Sequence, residues 1–190
     1  MTQVREGPED PSGVADGDGV VDVEGTPEAP TLPRWVPWLA FLLCLAGLGD
    51  AIYLTYDHFT GKLPICSAHG FVNCALVTTS AQSEIFGHIP VALLGLLFYV
   101  AMTAVNIPAV WQMVDRRIAW LRVGMAASGI GMVIYLLVVE LYQLRAICLW
   151  CTGVHVVTFL LFILIVATAP LMARRQAWAE WEAAQGDDQG

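Results

Sequence analysis

The sequence predicts an all-α integral membrane protein, a bundle of four helices. Of its 190 residues, 57% are hydrophobic and 14% are charged. Its mean hydropathy of +0.63 exceeds what a soluble core of this size requires. A helix needs about 20 apolar residues to cross a hydrocarbon core of about 30 Å. Four runs come close to this length, 35–56, 90–107, 118–139 and 147–169, and none alternates in polarity as a barrel strand does.

The two ends of the chain differ in composition from the apolar middle. Residues 1–33 are rich in Gly, Pro, Asp and Glu and contain no aromatic residue, so we predict a disordered acidic tail. This segment has no signal-peptide pattern, and we expect the first apolar run to stay as a membrane anchor. Residues 34–170 form the predicted domain of four transmembrane helices. Residues 171–190 form a predicted cytoplasmic tail, which we expect to fray from 174 onward, with a short interfacial helix as the alternative.

The distribution of charged residues excludes one class of partner and predicts how the chain is oriented in the membrane. The net charge of −8 comes from the tails, and the few basic residues form no stripe, which argues against nucleic-acid binding. Only Lys62 and Arg145 flank the spans on one side of the predicted bilayer. The other side carries Arg34, Arg116, Arg117, Arg122, Arg174 and Arg175. The positive-inside rule therefore predicts a multi-pass protein of the cell (inner) membrane with both termini in the cytoplasm.

Four of the five cysteines fall on the external side of this topology. Cys66 and Cys74 lie in the first external loop, and Cys148 and Cys151 open the fourth span. Outside the cytosol, thiols are not kept reduced and disulfides persist. Cys44 stands alone in the first span, where we interpret it as a small apolar side chain.

The second cysteine pair has the spacing of a redox-active dithiol. Residues i and i+3 share one helix face, which brings Cys148 and Cys151 within reach of a disulfide. The amide groups and dipole at a helix N-terminus favour a thiolate, and Arg145 adds positive charge nearby.

Three interpretations of the loop pair stay open at this point. Cys66 and Cys74 are either a structural staple, half of a zinc site with His69, or a shuttle that exchanges disulfides with the second pair. Seven intervening residues make a poor zinc knuckle. A shuttle needs a final electron acceptor, and at the edge of the bilayer a lipid-soluble quinone is the natural candidate.

The ordered set of these motifs resembles the vitamin K epoxide reductase family, and its bacterial branch most closely. The resemblance covers residues 35–170 and is carried by both cysteine pairs, by Ser80 six residues after Cys74, and by the segment GHIPVALLGLLFY. It implies a membrane thiol:quinone oxidoreductase that reoxidises a periplasmic thioredoxin-like disulfide-forming protein.

The resemblance also implies a role for each cysteine. Cys66 would exchange with the partner, Cys74 would pass the disulfide to Cys148, and Cys151 would face a quinone of menaquinone or ubiquinone type, with no metal. Ser80 would organise the loop over the site. Where the animal enzymes carry an Asn and a Tyr, this chain has Ser83 and His155, so plain quinone reduction is implied and epoxide reduction is left open.

Further residues are candidates for the quinone site. His155 lies one turn deeper than Cys151, where it either donates to a quinone oxygen or bonds a neighbouring backbone carbonyl. Four aromatic residues are candidates to line an apolar slot, with packing between helices as the alternative for each: Phe86, Phe98, Tyr99 and Trp150. Of these we select Phe86 and Trp150, and we predict that 79–86 forms a short capping helix. The carboxylates expected to be solvated or paired near the external span ends are Asp50 and Glu140.

The sequence therefore predicts a quinone-dependent disulfide generator. The alternative is a non-enzymatic membrane assembly or binding subunit with structural disulfides or a zinc site.

Overall fold

The computed structural model describes residues 31–62, 64–66, 72–80, 83–85 and 89–187. Within these ranges the chain is an all-α membrane bundle, as the sequence predicts. The loop after the first helix carries the Cys66–Cys74 pair. The predicted tail 1–33 lies almost wholly outside the described residues.

Helix α1, Trp35–Thr60, is the first membrane-spanning element. It ends where Gly61 adopts a left-handed φ of 65°, a conformation that glycine adopts without steric cost. The Lys62 amide donates to the Asp57 carbonyl at 3.1 Å and satisfies one of the last carbonyls of the helix. The chain then leaves the helix and enters the cysteine loop, the segment between α1 and the strand that begins at Glu84.

The cysteine loop contains a short helix, although not where the sequence predicted it. Helix α2 is Cys74–Thr78, and the Asn73 side chain caps it by accepting a hydrogen bond from the Leu76 amide at 3.0 Å. The predicted helix over 79–86 was wrong in position. There, strand β1, Glu84–Ile85, pairs antiparallel with strand β2, Ile89–Pro90. The reason is the early Asn cap, which starts the helix at Cys74.

Helix α3, Val91–Val105, follows β2 directly and has 15 residues. At 1.5 Å per residue it is about 22 Å long, shorter than the predicted run 90–107 and than a full crossing. Three longer helical segments are long and apolar enough to span the bilayer, and α3 is a shorter apolar helix beside them.

Helix α4, Arg116–Val138, begins at Asp115, whose side chain accepts from the Arg117 amide at 2.7 Å. It continues as a π-helical segment, Val139–Leu144. Helix α5, Leu149–Asp187, contains Pro170 and extends through the segment that was expected to fray. That expectation was wrong, since the described chain stays helical far beyond residue 169.

Close helix packing defines the interior. Helix α1 packs against α3 and α5, and α4 packs against α5. The cluster of buried apolar residues includes Cys44, which confirms its interpretation as a small apolar side chain. Large apolar side chains also cover the outside of the bundle, where lipid tails would contact them: Trp38, Leu42, Ile52, Leu97, Ile134 and Phe159.

The end of the bundle opposite the cysteines holds a buried arginine. Arg122 Nε donates to the Val105 carbonyl at 2.9 Å, and the guanidinium carbon lies 4.3 Å from the centre of the Trp111 ring. One of the six arginines used for the orientation is thus a packing residue between α3 and α4.

Candidate active site

The loop cysteines form a disulfide. Cys66 and Cys74 are bonded with their Cα atoms 6.2 Å apart. Cys74 is 1% exposed at the start of α2, whereas Cys66 is half-buried and follows Ile65, which is 85% exposed. The Cys74 amide donates to Cys66 Sγ at 3.3 Å. The disulfide therefore presents the Cys66 side to the outside and buries the Cys74 side.

Backbone pairing seats the end of the loop on the start of α5. Val72 and Ile147 form a parallel bridge, and the Asn73 amide donates to the Ile147 carbonyl at 3.1 Å. Cys74 and Cys148 each follow one residue after this hydrogen bond. The buried cysteine of the first pair consequently lies alongside the first cysteine of the second.

Two side chains hold the other end of the loop. Trp150 Nε1 donates to the Ile65 carbonyl at 3.1 Å, and the Ile65 amide donates to the Tyr53 hydroxyl at 3.0 Å. The rings of Tyr53 and Trp150 are themselves in contact, with centroids 4.6 Å apart. Both polar groups of the residue before Cys66 are thus bound to the bundle.

The second pair is present as two free thiols. Cys148 is fully buried, and Cys151 is half-buried in the first turn of α5. The Cys151 amide donates to Cys148 Sγ at 3.4 Å. Amide groups directed at a sulfur favour its thiolate form, and the i, i+3 spacing keeps the pair within reach of a disulfide.

A cavity of about 300 Å³ opens beside Cys151. Its wall is mainly apolar, with contributions from α1, α3, α4 and α5. A small set of polar side chains interrupts this surface: His58, Thr78, Ser80, Ser83, Tyr99, Ser128, Glu140, His155 and Thr158. An apolar slot of this volume with a few polar groups suits a flat ring with polar oxygens, which is the chemistry of a quinone head group.

His155 lines this cavity together with Cys151. It is 6% exposed, and its Nδ1 is buried without a hydrogen-bond partner among the described residues. The described contacts include no backbone carbonyl for this nitrogen, so the nitrogen is available to a ligand in the cavity.

The serines lie on the wall nearest the loop. Ser80 Oγ donates to the Val77 carbonyl at 2.8 Å, and Ser83 Oγ donates to the Ser80 carbonyl at 2.7 Å. These bonds shape the chain that follows α2, and each oxygen can still accept a hydrogen bond. Both serines therefore combine a local backbone contact with a position on the cavity wall.

The aromatic candidates are distributed differently from the prediction. Trp150 contacts Tyr53 and Ile65 and is absent from the cavity wall, so it holds the loop and does not line the slot. Phe98 and Tyr99, the two aromatic candidates that were not selected, line the cavity. Phe86 lies outside the described residues.

Two carboxyl groups lie closer to the cysteines than the sequence indicated. Glu140 is 3% exposed and lines the cavity, which overturns the expectation that it is solvated. Asp50 is half-buried, with one oxygen 3.1 Å from where a Cβ on Gly153 would stand. The sequence shows a carboxylate at the end of an apolar run, which marks Glu140 as a residue near a span end. It does not reveal the π-helical segment in which Glu140 lies, so the burial of this side chain could not be predicted.

The described residues include no group of three or more His, Cys, Asp or Glu that could hold a metal ion. His69, the residue considered for a zinc site, lies outside the described ranges.

Comparison with known proteins agrees with the cysteine geometry. A search of curated proteins gave no match. Residues 38–166, more than half of the chain, match the model of the vitamin K epoxide reductase family. This family comprises membrane oxidoreductases associated with disulfide chemistry and quinones. With two cysteine pairs at one end of a helical membrane bundle, the chain belongs to the vitamin K epoxide reductase family.

Proposed function

We propose that this protein is a membrane thiol:quinone oxidoreductase of the bacterial branch. It reoxidises a periplasmic thioredoxin-like disulfide-forming protein and passes the electrons to a quinone. One observation carries the proposal: Cys148 lies beside the buried end of the loop disulfide, while Cys151 opens on an apolar cavity.

The exposure of the four cysteines supports an order of transfer. Cys66 is the accessible sulfur of the loop pair, so a thiolate of the partner attacks there and releases Cys74. The second thiol of the partner then attacks the partner's own sulfur in this mixed disulfide, so the partner leaves oxidised and the Cys66 thiol is freed. Cys74 attacks Cys148 of an oxidised Cys148–Cys151 pair and releases Cys151. Cys66 attacks Cys74 in the resulting mixed disulfide, which reforms the loop disulfide and leaves Cys148 and Cys151 as two thiols. The described state, with Cys66–Cys74 bonded and Cys148 and Cys151 free, corresponds to the moment before electrons leave the protein.

Several residues of the cavity wall are placed to take part in the last step, the transfer of electrons from the thiols to the quinone. Cys151 supplies the sulfur at the cavity, and His155 offers a buried nitrogen to a quinone oxygen. Ser80 and Ser83 shape the mouth. A bound quinone of menaquinone or ubiquinone type supplies an acceptor for two electrons and two protons. The apolar walls exclude water from the thiolate and the ring.

The arginine distribution supports an orientation with both termini in the cytoplasm and the cysteines at the external face of the cell membrane. In this proposal, 34–170 is the catalytic domain and 171–190 lies on the cytoplasmic side.

The experiment follows quinone absorbance when purified protein meets a short-chain quinone and a reduced thioredoxin-like protein. We expect turnover in the native chain and in Cys44→Ala, which removes a buried thiol that does not line the cavity. We expect none in Cys151→Ala, because the electron-donating pair is broken. Full turnover in Cys151→Ala would rule out the proposed route.

Alkylation of free thiols separates this function from a non-enzymatic subunit with structural disulfides or a zinc site. If Cys148 and Cys151 keep one redox state whether the reduced partner or the quinone is added, the pair is structural. Zinc at one ion per chain in purified material would support the zinc-site form of that alternative.

A further inference from the structure

Glu140 is a buried carboxyl group with an unused oxygen. Its side chain is 3% exposed, lines the same cavity as Cys151 and His155, and has Oε2 without a hydrogen-bond partner among the described residues. The described cavity wall contains no Lys or Arg. Burying a carboxylate without a cation costs free energy, and a bound proton removes that cost. The position therefore suits a group that gains and loses a proton.

The backbone places Glu140 against the start of α5. Glu140 lies in the π-helical segment Val139–Leu144, and such turns occur frequently at functional sites. The Glu140 carbonyl accepts from the Arg145 and Ala146 amides, the latter at 3.1 Å. Arg145 has a left-handed φ of 49° that closes the turn. The segment thus connects Glu140 rigidly to Cys148, two residues after Ala146.

The reaction at this site releases protons in an apolar space. When the Cys148–Cys151 dithiol closes, two S–H bonds break, one S–S bond forms, and two electrons and two protons leave. Reduction of a quinone to a hydroquinone consumes the same two electrons and two protons. Among the described residues of the cavity wall, two buried ionisable side chains have a polar atom without a hydrogen-bond partner. These side chains, His155 and Glu140, are the candidates to carry the two protons.

We propose that Glu140 is a proton-transfer residue of the cavity: it accepts one thiol proton as the Cys148–Cys151 disulfide forms and delivers it to a quinone oxygen. His155 carries the second proton. This inference rests on the proposed function and adds a route for the protons to the route for the electrons.

Infrared difference spectroscopy tests the proton change without quinone. Quinone-depleted protein is cycled between the Cys148–Cys151 dithiol and disulfide, and the spectra are subtracted. We expect a carboxyl C=O stretching band in the native difference spectrum, its loss in Glu140→Gln, and its retention in Glu180→Gln, which makes the same change at an exposed site on α5. A native spectrum without a carboxyl band, or a band that persists in Glu140→Gln, would overturn the proposal.

Steady-state kinetics provides the second measurement. We expect Glu140→Gln to lower kcat for quinone reduction by about 100-fold, a typical contribution of a proton-transfer group, with little change in KM for the quinone. Glu140→Asp retains the carboxyl group and should recover part of the loss. Disulfide exchange between the partner and Cys66–Cys74 should proceed normally in every variant, which also verifies folding.

The third measurement is the pH dependence of kcat for quinone reduction. The groups that face Glu140 or the adjoining wall are Cys148, Cys151, His155, Tyr99, His58 and Asp50. One ionisation should disappear from the profile in Glu140→Gln and remain in Glu180→Gln. Absence of quinone reduction in the native chain would contradict the proposed function itself, whereas native turnover matched by Glu140→Gln would contradict only the role of Glu140.

Discussion

At the scale of single residues, His155 is the ionisable side chain that both the sequence and the structure direct to the cavity. We expect His155→Phe to lower quinone turnover by about tenfold or more, because the variant keeps a ring but loses the nitrogen that faces the ligand. His155→Gln retains a polar side chain and should recover part of the activity.

The measurement is kcat and KM for quinone reduction in membranes with the native chain, His155→Phe and His155→Gln. Equal rates in the native chain and His155→Phe would mean that His155 only packs between the helices. Disulfide exchange at Cys66 should be the same in all three proteins, since His155 lies away from the loop disulfide.

At the scale of the helices, the packing of α1 on α3 depends on one glycine. A Cβ built on Gly47 would overlap the ring of Tyr99, a buried residue whose hydroxyl contacts the Thr158 hydroxyl at 2.8 Å. We expect Gly47→Ala to reduce the free energy of unfolding by about 1–3 kcal/mol, as overpacked interiors do.

Gly49→Ala is the matched control on the same helix, because a Cβ there meets no other atom within 4 Å. Thermal unfolding in detergent compares the two variants with the native chain. Since Tyr99 also lines the cavity, Gly47→Ala should weaken quinone binding as well. An unfolding midpoint equal in the two variants would show that α1 and α3 adapt without strain.

At the scale of the whole molecule, the proposed relay requires the cysteine loop to stay attached to the helix bundle. Tyr53→Phe and Trp150→Phe each remove one of the two side-chain hydrogen bonds to Ile65. A hydrogen bond contributes about 1 kcal/mol, or roughly a fivefold change in an equilibrium. We therefore expect the double variant to slow turnover with the protein partner severalfold, because Cys74 meets Cys148 less often.

Oxidation of the reduced Cys148–Cys151 pair by quinone should keep its native rate in the same double variant. Single-turnover measurements with and without the partner distinguish the two steps. Tyr56→Phe, an exposed tyrosine on the same helix, is the control. Loss of the quinone step in the double variant would place Tyr53 or Trp150 in the cavity chemistry and contradict their role as loop contacts.

The sequence by itself determined the helical membrane bundle and the two cysteine pairs, because hydrophobic run length and the C-x-x-C spacing are local properties of the chain. It also predicted His155, which lies one turn below Cys151 on the same helix. The sequence prediction placed the loop helix at 79–86, a few residues too late. The helix begins at Cys74 because the Asn73 side chain caps it there.

Only the tertiary structure decided which side chains surround the reacting sulfurs. The inward position of Glu140 depends on a π-helical turn, and the outward position of Trp150 depends on a contact with Tyr53, which lies about a hundred residues earlier in the chain. Hydropathy identifies a residue as inside or near a span but does not specify which neighbour it faces. That choice results from how α1, α3, α4 and α5 pack against one another.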